Sequence, residues 1–89
     1  MSRKLIFHKK FEKQFASLKA AQKERVKEVL RDYANGKHTP SMRIHALRGS
    51  FEGQVSLSAG GDLRIHLLDD KLSPNLIILQ VGTYSQLYG

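Results

Sequence analysis

The chain has 89 residues, with fifteen Lys and Arg against eight Asp and Glu, a formal net charge of +7, and neither Cys nor Trp. A chain of this length is one domain, residues 1–89, with one small core and no room for a second catalytic unit. Without Cys it can form no disulfide and no thiolate metal site, which fits a reducing cytoplasm. The four His, at positions 8, 38, 45 and 66, share no H-x-x-x-H spacing, so no metal site and no cofactor are expected. The longest apolar run is Leu76 to Leu79, too short for a membrane span, and Leu5-Ile6-Phe7 is too short for a signal-peptide core.

Lys4 to Phe7 reads as a short strand. Phe7, Phe11, Phe15 and Leu18 then recur at spacings of four, four and three, the stripe of an amphipathic helix whose phenylalanines are expected in the core. Val26, Val29, Leu30 and Tyr33 repeat the pattern in a second helix, whose opposite face carries Lys23, Glu24, Lys27, Glu28 and Arg31; Asn35-Gly36 supplies its C-terminal cap. Lys37 to Ser50 has no period and reads as a connection. From Glu52 to Leu57 the residues alternate, Val55 and Leu57 on one face, Gln54, Ser56 and Ser58 on the other. Ala59-Gly60-Gly61 predicts a hairpin turn, Leu63 to Leu68 a second strand, Ser73-Pro74-Asn75 another turn and Leu76 to Val81 a third strand ended by Gly82. Tyr84 to Tyr88 reads as a polar-aromatic tail. The order β-α-α-β-β-β predicts an α+β fold, a short N-terminal strand and helical hairpin packed on one face of a small twisted antiparallel sheet, with the other face open.

The charge is unevenly divided. Up to Arg48 there are thirteen basic and four acidic residues, a net +9; beyond it there are two basic and four acidic, a net −2. The basic half is a source of positive potential suited to a polyanionic partner.

The loop His45-Ala46-Leu47-Arg48-Gly49-Ser50-Phe51-Glu52-Gly53, the strand start Asp62-Leu63-Arg64-Ile65 and the ending Val81-Gly82-Thr83-Tyr84-Ser85-Gln86-Leu87-Tyr88-Gly89 together resemble the RelE/ParE toxin superfamily, and most closely its YafQ-like branch. The resemblance runs the whole chain. It implies the toxin of a type II toxin–antitoxin pair, a ribosome-dependent endoribonuclease (mRNA interferase) that inhibits translation. Its partners would be a cognate antitoxin, mRNA and the ribosome, in the cytoplasm, with no membrane and no cofactor. Cleavage in such enzymes uses the RNA's own 2′-hydroxyl and no metal. The protein must take one proton, give another to the leaving 5′-oxygen and stabilise the phosphorane charge.

On this resemblance His45 falls on the family's loop histidine and Asp62 on its strand-start acid, while Tyr84 replaces the histidine expected as general acid and Tyr88 replaces the closing aromatic. A phenol can also donate a proton, and Tyr88 keeps a π-face on which a base can stack. Ser58 replaces a second histidine, Leu63 the aromatic beside the acid, and Gln80 the arginine that would brace the scissile phosphate. Arg64 matches the middle-strand arginine of RelE-like members. Alternation puts Arg64 and His66 on one face with Asp62, and Leu63, Ile65 and Leu67 on the other. The catalytic candidates are therefore His45, Asp62, Arg64 and Tyr84, and the nucleic-acid-binding candidates Arg43, Arg48, Tyr88 and Gln80. The alternatives to an Arg64 site are an Arg64–Asp62 ion pair and, for His66, a half-buried strand residue. The three substituted positions leave open a non-cleaving toxin of the same fold, either a ParE-like gyrase inhibitor or a ribosome binder, and an inactive remnant that only binds antitoxin.

Overall fold

The computed structural model describes residues 2–88; Gly89, the last residue of the closing motif, lies outside them. In chain order the elements are β1 (Lys4–Phe7), α1 (Lys9–Ala16), α2 (Ala20–Ala34), β2 (His45–Ala46), β3 (Val55–Ser58), β4 (Leu63–Leu68), β5 (Asn75–Thr83) and α3 (Tyr84–Tyr88), with single 3-10 turns at Pro40–Met42 and Gly49–Phe51. The five strands form one sheet in the order β1-β5-β4-β3-β2. β1 runs parallel to β5, Lys4 opposite Asn75, and the remaining pairs are antiparallel. The sheet is thus mixed, where an antiparallel meander alone is expected from the sequence, because the N-terminal strand returns to the edge of β5.

Local chemistry explains the helix ends. The His8 side chain accepts from Lys10 N at 3.1 Å and starts α1, and Gln22 Oε1 accepts from Lys19 N at 3.0 Å and starts α2. After Asn35, Gly36 N and Lys37 N donate to Tyr33 O and Asp32 O at 3.1 and 2.8 Å, satisfying carbonyls that the last turn of α2 leaves free. Both helices cover one face of the sheet. Val26, Leu30, Leu57, Ile65, Leu67, Leu76, Ile78 and Val81 are buried between the layers, and their removal from water is the main stabilising term.

The phenylalanine stripe is only partly core. Phe11 is buried, but Phe7 belongs to β1 and is 43% exposed, and Phe15 is half-buried. The three rings stack, Phe7 on Phe11 at 5.2 Å and Phe11 on Phe15 at 5.6 Å. They line an apolar groove with Leu5, Val26 and Leu30 because the sheet ends at β1 and cannot cover them.

A buried carboxylate closes the fold on the far side. The Asp69 side chain, 1% exposed, accepts from Tyr33 Oη, Arg3 and Lys71, while Arg3 Nη2 also donates to the carbonyls of Asp70 and Ser73. Burial alone would raise the Asp69 pKa, but the hydrogen bonds from Tyr33, Arg3 and Lys71 outweigh it and hold the group at about 2. The segment before β1 is thereby tied to the β4–β5 turn.

Gly82 does not end β5. It pairs with Arg64 inside the strand, and a Cβ there would lie 3.0 Å from Gln86 Oε1 and 3.3 Å from Leu87 Cδ2. The missing side chain lets α3 lie back over the sheet. The tail is accordingly a helix rather than irregular: Gln86 Oε1 accepts from Thr83 N at 2.8 Å and Thr83 Oγ1 accepts from Gln86 N at 3.2 Å, the reciprocal capping that Thr-x-x-Gln encodes.

Candidate functional site

Because strand side chains alternate, the face of the sheet turned away from α1 and α2 carries every second residue. Register puts Ser56 opposite both His45 and His66, and His66 opposite Gln80, so that His45, Ser56, His66 and Gln80 form a polar row across β2, β3, β4 and β5. Ser58, Arg64 and Gly82 form the adjacent row. This face is not open as expected: the Gly49–Phe51 turn and α3 fold over it. Phe51 meets His66 edge-on at 5.1 Å and Tyr88 at 5.6 Å, and Tyr84 leans on Tyr88 at 4.5 Å.

The loop that carries Phe51 owes its path to glycines. Gly49 and Gly53 have φ of 65° and 91°, a region that side chains with a Cβ rarely occupy. That is the physical content of the G-S-aromatic-x-G spacing.

His66 lies at the centre of the row and is fully buried, not half-buried. Its Nδ1 is 2.9 Å from Gln80 Nε2 and its Nε2 is 2.7 Å from Tyr88 Oη. Burial first, and the nearby His45 second, push its pKa down to about 4, so the ring is neutral at neutral pH. Ser56 Oγ beside it is buried with no hydrogen-bond partner among the described residues.

His45 is exposed at the β2 edge of the row. Its Nδ1 lies 2.9 Å from the carbonyl oxygen of Arg43. A carbonyl can only accept, so Nδ1 carries a proton, and in the neutral form of the ring Nε2 is the nitrogen left to accept one. Arg43 adopts a left-handed backbone with φ 44° at this point, and a non-glycine residue held there marks a constrained turn. Arg43 and Arg48 are both exposed, and neither takes part in an ion pair among the described residues.

Arg64 makes no ion pair with Asp62. Its Nη1 donates to Gly61 O at 2.8 Å, Leu63 O at 3.1 Å and Ser58 Oγ at 3.3 Å, which fixes the guanidinium and leaves Nη2 and Nε without partners among the described residues. Ser58, where the resemblance places a histidine, therefore acts here as a brace for Arg64.

Two sequence expectations need correction. Asp62 precedes β4 and is exposed, so the alternation does not extend to it; its side chain lines a separate depression with Arg25, Gly60 and Thr83. What Asp62 gives the site is its backbone carbonyl, which accepts from Tyr84 N at 2.9 Å and anchors α3. Gln80 is only 8% exposed and bonded to His66, so its side chain is spent mainly inside the site and not on the surface. Leu63 is a buried core residue, on the apolar face where alternation puts it. Tyr84, 55% exposed, stands at the rim and Tyr88 is half-buried. Sequence alone neither singles out Phe51 nor links Gln80, His66 and Tyr88 in one chain; the R-x-H alternation from Arg64 to His66 is the available signal for part of it. Among the described residues no three His, Asp or Glu side chains cluster as a metal-ligand set.

No protein-family model matches the chain, and no curated protein does. Solved structures do. YafQ from E. coli strain BL21(DE3) superposes with a TM-score of 0.85 over 98% of this chain and 99% of its own, at 18% identity. The fold is that of the YafQ-type toxins. The E. coli DinJ–YafQ toxin–antitoxin complex aligns over all of both chains at a TM-score of 0.83 and 17% identity. A copper-bound mutant toxin from Helicobacter pylori aligns over 96% of this chain and 98% of its own at 0.78 and 23% identity. The full-length agreement supports the RelE/YafQ-like architecture expected from the loop and closing motifs, at identities low enough that only the fold follows from it.

Proposed function

We propose that the protein is the toxin of a toxin–antitoxin pair and an endoribonuclease that cuts mRNA on the ribosome, and so acts in the cytoplasm. The observation that carries this reading is one polar sheet face, in a YafQ-type fold, that holds Nε2 of His45, the half-free guanidinium of Arg64 and the hydroxyl of Tyr88 beside the exposed Arg43 and Arg48.

In this reading the phosphate backbone approaches the Arg43–Arg48 loop, and Arg64 donates to a non-bridging oxygen of the scissile phosphate. Nε2 of His45 takes the proton of the 2′-hydroxyl as that oxygen attacks phosphorus. The bond to the 5′-oxygen breaks, leaving a 2′,3′-cyclic phosphate and a 5′-hydroxyl. The negative charge that grows on the phosphorane is met by Arg64, already held by three hydrogen bonds, so little reorganisation is needed at the moment of reaction. The leaving oxygen receives its proton from the Tyr84–Tyr88 pair, and the outer ring, Tyr84, offers a face for a base. Asp62 orients this pair through its carbonyl at the start of α3.

The DinJ–YafQ likeness supports an antitoxin partner. The phenylalanine groove, about 690 Å³ in volume and edged by Lys27 and Arg31 as well as Glu12, suits an amphipathic segment of it that sets acidic side chains toward those two cations.

The test is expression of the protein in bacteria with and without Arg64→Ala, followed by mapping of mRNA ends on purified ribosomes. Growth arrest with new in-frame mRNA ends, both lost in the variant, is the expected result. A second reading, a non-cleaving toxin of the same fold, draws on one observation: Ser58, Leu63 and Gln80 occupy positions of the family's chemistry and are all buried here. Inhibition of DNA supercoiling with intact mRNA would favour the gyrase form of it.

A further inference from the structure

The hydrogen bonds beneath the site have a direction. The amide nitrogen of Gln80 can only donate, so the Nδ1 of His66 that it meets at 2.9 Å is the acceptor. The neutral ring must then carry its proton on Nε2, and that N–H points at Tyr88 Oη, 2.7 Å away. A phenol oxygen that is already accepting has its own O–H free to turn outward, away from the ring. The chain runs from a buried amide through a fully enclosed imidazole to a half-buried hydroxyl at the edge of the polar face, with Phe51 packed against both rings.

We propose that His66, locked in one tautomer by Gln80, is a positioning residue that aims the Tyr88 hydroxyl proton out of the sheet and makes Tyr88, of the two tyrosines, the proton donor to the leaving 5′-oxygen. This rests on the ribonuclease reading above. When the bond from phosphorus to the 5′-oxygen breaks, the electron pair goes to that oxygen and the Tyr88 proton follows it. The phenolate left behind is held by the N–H of His66 and regains a proton from solvent, while the proton of the 2′-hydroxyl resides on His45. Tyr84 lacks such support, because none of the described hydrogen bonds reaches its hydroxyl and the ring is 55% exposed. An imidazole with 0% exposure is a costly choice for a strand centre, and full pairing of both ring nitrogens with a chain that ends at the surface gives it a use that packing alone would not require.

Two measurements on the full chain test this. In nitrogen NMR of the free protein at neutral pH, with His66 assigned by its loss in His66→Gln, the ring is expected as the Nε2–H tautomer, and Gln80→Met is expected to populate the Nδ1–H form. A wild-type ring in the Nδ1–H form overturns the proposal, whatever the protein does to RNA. The second compares ribosome-bound mRNA with an otherwise identical message that carries sulfur in place of the scissile 5′-bridging oxygen, whose thiolate leaves without a proton. Tyr88→Phe is expected to slow the oxygen substrate by about 100-fold or more and the sulfur substrate by less than about threefold, with Gln80→Met following the same split more weakly. Equal losses on both substrates, or wild-type rates for Tyr88→Phe on oxygen, overturn the assignment of Tyr88 as the donor. If the wild type cuts neither RNA, the ribonuclease reading fails and takes the catalytic role with it, and the tautomer result is unaffected.

Discussion

Lowering the pH from 7 to 4.5 is expected to cost the fold about 2 kcal/mol through His66 alone. The ring is fully buried, and its pKa falls from 6.5 in the unfolded chain to about 4 in the fold. Between those values the unfolded state binds the proton and the native state does not, so stability falls as pH falls. The contribution is complete above about 6.5 and is lost as the pH drops through about 4; carried below both values the loss reaches about 3 kcal/mol. The assay is urea denaturation of wild type and His66→Gln at pH 7 and 4.5. Carboxylates elsewhere titrate alike in both proteins, so the difference between their two pH losses isolates His66. A glutamine there keeps hydrogen-bonding capacity without a titrating group, and the variant is expected to lose about 2 kcal/mol less than the wild type over this interval. Equal losses in the two proteins would refute the claim that the imidazole is buried and neutral, and with it the geometry on which the Tyr88 argument stands.

The Asp69 carboxylate makes a second pH prediction in a lower window. With its pKa at about 2 against an ordinary 3.8, its stabilisation, about 2 kcal/mol, is complete above 3.8 and is lost as the pH falls toward 2. Asp69→Asn is expected to remove at least that much at pH 7 by urea denaturation, since Arg3 and Tyr33 are left facing a neutral group; an unchanged midpoint would contradict this. Binding of single-stranded RNA is expected to weaken with salt, with a log–log slope near about −2 if Arg43, Arg48 and Arg64 each meet one phosphate, and Arg48→Ala should reduce the slope by about 0.7. Fluorescence anisotropy across a salt series measures it, and a slope unaffected by the substitution removes Arg48 from the interface.

Alternation from Glu52 to Leu57 and in Leu63 to Leu68 specified two strands and their faces, because a strand with one buried side writes that side into every second residue, although the first strand begins only at Val55. The helices were legible from the phenylalanine and valine–leucine spacing, and Asn35-Gly36 from its cap chemistry. The parallel pairing of Lys4 with Asn75 was not, since nothing local to either segment encodes a partner so distant in the chain. Gly82 reads locally as a break, whereas its role is to admit α3 against β5, which is a tertiary demand. The Thr83-x-x-Gln86 capping pair was a local signal that could have identified that helix.

The site followed the same division. Arg64 and His66 were placed on one face by alternation, but the pattern was extended one residue too far, to Asp62, where the strand has not begun. The cover supplied by Phe51 and Tyr88 comes from segments that lie outside the strand, and it is this cover that turns His66 from a half-buried strand residue into the centre of the row. Gln80, read as a substituted phosphate contact, is instead the group that holds His66. Helical period showed that Phe7, Phe11 and Phe15 share a side without showing that β1 is an edge strand, which is why Phe7 remains exposed.

If the polar face of this sheet cleaves RNA through the RNA's own 2′-hydroxyl, ribosome-bound mRNA exposed to the purified protein is expected to carry a 2′,3′-cyclic phosphate on the upstream fragment and a 5′-hydroxyl on the downstream one. Message left intact, or cut to a 5′-phosphate, would rule that chemistry out.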